Sequence, residues 1–335
     1  MMEYSLEVLV TSCVLKSIFD LEIINSKSQD ISFLAEMYGG VNQDVFMISK
    51  GKAQNRLADI LRFVDDKYLE KNLGYIAPLS SPFGCGDYEV FAYNPSHSLF
   101  SEIFSYPQDT VQNADFDIEK FLQKCRKLCA MFTGETLLYS LLDALENDCS
   151  FISLSGGRQS LFETAKLRAG IATCVWFNAY NSTTELSSKN EYILVCSLDL
   201  LGIKDFKFQK SNTCDIKSEV LSSLYIDLFR ENVLDDLFDD LGISRCNLIF
   251  SGGRHLHTFL PNTVEVKEII AKNMKRVNNW LVKMFKLDLY VSYGMASLQE
   301  LAIDMKREED FFEKIFISIA SQKAVIEARK YSIEN

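Results

Sequence analysis

At 335 residues, 47% hydrophobic and 24% charged, the chain can bury a sizeable core, and its length predicts two domains. With 5 Pro and 15 Gly it is neither fibrous nor low-complexity, and no apolar run approaches the ~20 residues of a membrane span. A formal charge of −11 argues against a non-specific nucleic-acid binder, because phosphate contact needs basic surface.

The first residues, Met1-Met-Glu-Tyr, carry no basic stretch of the signal-peptide kind, so a cytoplasmic location is expected. Residues 3–75 read as helical throughout: Leu6, Leu9, Val10, Cys13, Val14, Ser17 and Ile18 repeat at helical spacing, as do Leu57, Ile60, Leu61 and Val64. Residues 75–115, punctuated by Pro78, Pro82, Gly84, Gly86, Pro95 and Pro107, read as an irregular connector. Helices are expected again at 117–147 and over Leu161–Tyr180. The period then changes. Tyr192 to Leu198 is a short continuous apolar run of the buried-strand kind, with a loop from Asp199 to Phe206 after it.

A helix at 215–241 comes next, then a hairpin at 247–260 turning on Gly252-Gly253, a helix at 264–286, a strand from Leu287 to Gly294 and a helix at 308–330. Two glycines between β-prone runs supply the positive φ of a tight hairpin. The order β-α-β-β-α-β is that of a ferredoxin-like domain. The fold class expected is therefore α+β, an all-helical N-terminal domain followed by a ferredoxin-like domain.

Charge is unevenly spread. Lys267, Lys272, Lys275, Arg276, Lys283 and Lys286 stand against Glu268 alone, whereas Asp227, Glu231, Asp235, Asp236, Asp239 and Asp240 stand against Arg230. Each run reads as a solvated helix face, with RNA or an acidic partner as the alternative for the basic strip. Nine cysteines, odd in number and mostly within apolar runs, suit reduced core thiols. Cys125 and Cys129 share a helix face but lack the second pair a zinc site needs.

Segments in order along the chain carry a family resemblance. Ser251-Gly-Gly-Arg-His255 through Leu260-Pro-Asn-Thr263 is similar to S-G-G-G-H-F…L-P-N-T, and Asp199-Leu-Leu-Gly-Ile-Lys-Asp-Phe206 to D-I-S-G-I-Q-D-F. Ser160-Leu-Phe-Glu-Thr-Ala-Lys166 with Ala169-Gly-Ile-Ala172 resembles S-L-F-D-H-L-K and A-A-I-A. Val14-Leu-Lys-Ser-Ile18 lies in the place of L-L-H-D-I; Val64-Asp65 matches a later A-D, and Ala77-Pro-Leu79 lies near P-L-x-S-x-F. The chain thus resembles the large subunit of type III CRISPR–Cas interference complexes, of the Csm kind. The resemblance implies a degenerate HD-like helical domain at 1–85, a connector with helices at 86–150 and a first palm domain at 151–335.

It also implies partners: RAMP-type CRISPR subunits, crRNA and target RNA, with no membrane. An HD nuclease uses its His-Asp pair to activate a metal-bound water, and Lys16 and Ser17 stand there instead. The second palm, with the G-G-D-D pair that would hold Mg²⁺, lies beyond the residues matched. The expectation is therefore a truncated relative, not an enzyme, with no catalytic residue, no metal and no required cofactor. Its role would be structural, at the crRNA 5′ end. The alternative is the nucleotide-binding half of a split cyclase completed by a separately encoded second palm, with ATP as its ligand. Ser251, Gly252, Gly253, Arg254, His255 and Asp199 are the candidate nucleotide residues. A free regulator or decoy is a third reading.

Among single residues, His255 and His257 point to one strand face but show no third metal ligand. Arg254 could meet a phosphate or pair with the acidic helix. Asp199 is expected to cap the following turn rather than hold metal. Ser155-Gly-Gly-Arg158 lacks the strand-then-helix setting of a phosphate loop. Trp176 and Trp280 are expected in the core.

Overall fold

The computed structural model describes residues 2–26, 38–69, 117–150, 160–180, 185–187, 190–204, 206, 216–286, 288–298 and 308–330. The expected connector at 75–115, Ala77–Leu79, Ser155–Arg158 and Asp205 lie outside them. The chain divides into two compact units, Met1–Trp176 and Phe177–Asn335.

The first unit is helical: α1 Met2–Ser26, α2 Gln43–Ser49, α3 Arg56–Val64 with a π-helical turn at Asp65–Leu69, α4 Ile118–Met131, α5 Gly134–Cys149 and α6 Leu161–Ala179, which runs across the division. Apolar residues surround α1, which makes it a central helix; Leu9, Cys13, Val14, Leu15 and Ile18 have no solvent exposure. Two buried hydroxyls tie α1 to α2. Ser12 donates to the Val8 and Val45 carbonyls, and Ser49 donates to those of Ser12 and Val45. Continuous helix over 3–75 is not what forms. A turn at Tyr38–Gly40 precedes Asn42, which caps α2, and Gly51 (φ +66°) ends α2 before Asn55 caps α3. Asn and Gly satisfy end groups and take left-handed φ, which breaks a run that apolar spacing alone would continue. Ser160 caps α6 by accepting from the Glu163 amide, so the Ser160-Leu-Phe-Glu163 match is in part a capping sequence.

The second unit holds a four-stranded antiparallel sheet in the order β2-β3-β1-β4, formed by β1 Ile193–Leu201, β2 Leu248–Gly252, β3 His255–Pro261 and β4 Tyr290–Ser297. Its helices are α7 Ile216–Leu241, α8 Val264–Phe285 and α9 Glu308–Lys330. This is the ferredoxin-like order the sequence predicted. Leu194, Cys196, Leu198 and Leu200 on one sheet face join Leu234, Leu237, Ile270, Met274 and Leu281 of α7 and α8 in a single core. The described cysteines are buried with no disulfide among them, and burial pushes the Cys129 and Cys196 thiols up to about 12. Such thiols stay protonated at neutral pH.

Two motif segments serve this frame. Thr263 of Leu260-Pro-Asn-Thr263 caps α8, and Asn262 bonds the Glu191 carbonyl, locking the exit of β3 beside the entry of β1. Gly202, at φ +85°, lets the chain leave β1 beneath the Asp288 carbonyl. Phe206 then packs edge-on against Phe285. The edge strand β4 is covered by side-chain amides. Asn278 of α8 exchanges two 2.8 Å hydrogen bonds with the Val291 backbone, and Gln322 of α9 does the same at Met295 (2.7 and 3.0 Å).

Two further expectations change. β1 continues to Leu201, so Asp199 lies within the strand and caps no turn; the apolar run was taken to end at the first charge, but a paired carboxylate can lie in a buried strand. Trp176 is in the core, whereas Trp280 is 40% exposed. Its ring stacks flat on Phe229 at 5.6 Å and meets Phe285 edge-on at 5.7 Å.

Candidate functional site

The sheet face opposite α7 and α8 presents a polar cluster where β1 and β3 pair. Period two puts Ser197 and Asp199 on this face, and the register sets them opposite His257 and His255. His255 Nδ1 lies 2.8 Å from an Asp199 carboxylate oxygen. Lys323 of α9 donates to that same oxygen at 2.9 Å and to the Ser197 hydroxyl at 3.0 Å. Burial alone would raise the Asp199 carboxyl. Hydrogen bonds and charge from Lys323 and His255 outweigh it and hold the group below the usual carboxylate range. The helix can lie this close because Gly294 has no side chain: a Cβ there would be 2.5 Å from the Ile319 carbonyl oxygen.

His257 sits deeper, its ring 5.5 Å from Phe316, 5.8 Å from Phe250 and 6.2 Å from His255. Burial, then the positive charges of Lys323 and His255, lower its pKa from 6.5 to about 4, with Asp199 opposing. A pH dependence follows. The folded state keeps His257 neutral down to about 4, whereas the unfolded chain takes up a proton below 6.5, so this residue's contribution is complete above 6.5 and is lost as pH falls to 4. Melting temperature should drop across that window, and His257→Phe should flatten the slope. An unchanged slope in the variant would assign the effect to other groups. Asp199 acts lower, where acid protonates carboxylates.

At the hairpin, Gly252 pairs with His255 and the turn is Gly253-Arg254. Only Gly253 has positive φ (+57°), so one glycine of the pair, not both, supplies it. Arg230 of α7 donates to the Gly253 carbonyl and Ser251 approaches Glu231 at 3.4 Å. Arg254 is exposed and contacts His255 through its Nε at 3.3 Å. Of the two alternatives for Arg254, pairing with the acidic helix does not form. Arg245 takes Glu231 and Asp235, Arg276 takes Asp236 and Asp240, and Arg230 takes Asp227. Thus the structure gathers Asp199, Ser251, Gly252, Gly253, Arg254 and His255 at one end of the sheet.

Lys267, Lys272, Lys275, Arg276, Lys283 and Lys286 are all exposed. Lys272, Lys275, Arg276 and Lys283 fall within an arc of about 100° on α8.

In the first unit the Lys16–Ser17 position and Asp65 come together with two residues the sequence reading missed. Arg168 of α6, 6% exposed, donates from Nε to Asp65 at 2.7 Å, from Nη2 to Asp20 at 3.4 Å, and to the buried Ser17 hydroxyl. Lys16 lies 3.0 Å from Asp20 and 3.8 Å from Asp65. The i, i+4 spacing of Lys16 and Asp20 was a usable signal; nothing local marked Arg168, or Lys323 in the second unit. Among the described residues no group of three or more His, Cys, Asp or Glu is placed to hold a metal. The residues at this cluster do not fit the divalent centre an HD site implies, since cations already lie between its carboxylates.

Residues 192–335 match the family described as Csm1 subunit domain B. Among curated relatives, the single-strand-specific deoxyribonuclease Cas10/Csm1 (subtype III-A) of Enterococcus italicus is 27% identical over 286 residues, covering 77% of this chain and 37% of the relative. That of Streptococcus thermophilus is 32% identical over 174 residues, 47% of this chain and 23% of the relative. Among solved structures, the Csm1–Csm4 cassette in complex with cA4 matches at a TM-score of 0.71 and 18% identity, covering 97% of this chain and 49% of that one. The cassette in complex with AMPPNP matches at 0.71 with the same coverage. The chain thus spans about half the length of these solved chains. The expectation that it is not an enzyme is overturned by relatives named as deoxyribonucleases. That expectation rested on Lys16 and Ser17 standing in place of a His-Asp pair and on a second palm lying beyond the residues matched.

Proposed function

We propose that this chain, which is Csm1/Cas10-like and carries the Csm1 domain B over residues 192–335, is a large-subunit component of a type III-A RNA-guided complex and docks on a Csm4-type RAMP subunit. The observation that carries this reading is coverage. Nearly the whole chain, 97%, follows the fold of the Csm1 chain solved with Csm4. Relatives 27–32% identical and named for subtype III-A support the system. Among the described residues no helix is long and apolar enough to cross a membrane, which suits a cytoplasmic assembly.

Guide RNA would lie along the basic face of α8, where Lys272, Lys275 and Lys283 are exposed and, among the described residues, lack carboxylate partners such as Arg276 has. Co-purification with a Csm4-type subunit and crRNA tests the docking; a chain that stays separate at micromolar concentration would contradict it. Reversing the three lysines to Glu should weaken RNA association and lower its salt slope by roughly three, about one per lost phosphate contact. An unchanged slope would make α8 a solvated face.

A nucleotide-binding role rests on Arg254, exposed at the glycine turn without a carboxylate partner among the described residues. The cavity beneath it, lined by Leu198, Leu200, Phe229, Arg230, Val233 and Leu256, measures about 10 Å³. That volume holds a single water rather than a base, so ATP would lie on the hairpin surface with its phosphates at Arg254. Calorimetry with ATP on the chain and on Arg254→Ala decides it. Binding that the substitution abolishes supports this role, and no heat with either protein removes it.

A further inference from the structure

The Asp20–Asp65 cluster is closed by its own cations. Each of the four carboxylate oxygens faces a nitrogen: Asp20 Oδ1 faces Lys16 at 3.0 Å, Asp20 Oδ2 faces Arg168 at 3.4 Å, Asp65 Oδ1 faces Arg168 at 2.7 Å, and Asp65 Oδ2 faces Lys16 at 3.8 Å. Two carboxylates and two cations sum to zero charge. The third Arg168 nitrogen is taken by the Ser17 hydroxyl, itself without solvent exposure. We infer that Arg168 and Lys16 are the resident counter-ions of this site and stand in the space a divalent ion would need, so that the native cluster takes neither Mg²⁺ nor Mn²⁺.

The physical case has two parts. A hard divalent ion needs several oxygen ligands at 2.0–2.6 Å, and here the available oxygens already face ammonium and guanidinium nitrogens. To enter, it would have to expel the Arg168 guanidinium, whose side chain is 7% exposed, and leave that charge buried without its partners, which is strongly unfavourable. A guanidinium is also planar and always charged, so pH cannot vacate the position. Helices α1 and α6 and the turn after α3 each contribute a charge, so this is a built site rather than a chance surface pair. The inference does not depend on the docking reading above.

The test is Mn²⁺ titration of the full chain, followed by calorimetry and by melting temperature. The native chain should show no stoichiometric heat and no rise in melting temperature. Lys16→Ala/Arg168→Ala uncovers both carboxylates and should gain Mn²⁺ affinity on the order of tenfold or more, with a matching rise in melting temperature. One-to-one Mn²⁺ binding by the native chain that Asp65→Asn abolishes would overturn the inference. A folded double variant without any Mn²⁺ response would overturn it too, since the cations would then not be what excludes the ion. Should the double variant fail to fold, the native chain and Asp65→Asn still decide: equal, absent responses support resident counter-ions, and a response confined to the native chain refutes them.

Discussion

Gly202→Ala should destabilise the second unit by about 2–5 kcal/mol. The residue sits at φ +85°, and a Cβ would meet the Asp288 carbonyl oxygen at 1.7 Å, a backbone atom that cannot swing aside. A left-handed, non-glycine backbone costs about 1–2 kcal/mol, and forcing atoms into a packed site adds roughly 1–3 kcal/mol. Together these reach about 2–5 kcal/mol, a large share of a domain's usual 5–15 kcal/mol. The matched control is Gly242, also at positive φ (+63°) but with nothing within 4 Å of its Cβ position. Gly242→Ala should therefore cost only about 1 kcal/mol, the backbone share alone. Urea midpoints of the two variants measure the difference. Equal losses would mean that the strand exit is not held against Asp288.

Asn278→Ala is the second large loss. The Asn278 amide is 8% exposed, donates to the Val291 carbonyl at 2.8 Å and accepts from the Val291 amide at 2.8 Å. Truncation leaves a buried N–H and a buried C=O without partners, at about 1–3 kcal/mol each when water cannot reach them. Gln322, which makes the same double contact at Met295, is exposed, so water can replace it and Gln322→Ala should cost about 1 kcal/mol or less. Amide hydrogen exchange at Val291 and Met295 reads both contacts. Slow exchange at Val291 in the Asn278 variant would show that another group protects that amide.

The order of elements in the second unit was legible because each boundary carries its own chemistry: a period-two run, a glycine turn at Gly253, and Thr263 as a helix cap. The family resemblance was legible for the same reason, since Gly202, Thr263 and Ser160 are residues the frame itself requires. What escaped were the partners of charges. Asp199 was placed in a loop because its cation, Lys323, lies more than a hundred residues away in sequence. The acidic face of α7 seemed open to Arg254, but Arg245 and Arg276 reach it first. The Lys16 substitution was read as a loss, whereas with Arg168, Asp20 and Asp65 it forms a balanced set. Apolar periodicity reports faces; which cation meets which anion is decided by tertiary packing.

The two amides over β4 also limit how anything can join this sheet. An outer strand normally offers its peptide groups to any extended segment that arrives, whether a partner's tail or another molecule of the same kind. Asn278 and Gln322 have already answered for that border at two places four residues apart. Opposite, β2 has five residues and a break in register at Leu248/Phe250, a poor template for annealing. Recruitment by borrowed strands is thereby discouraged on both flanks, and among the described residues helix faces and the hairpin tip are what remain open to other chains.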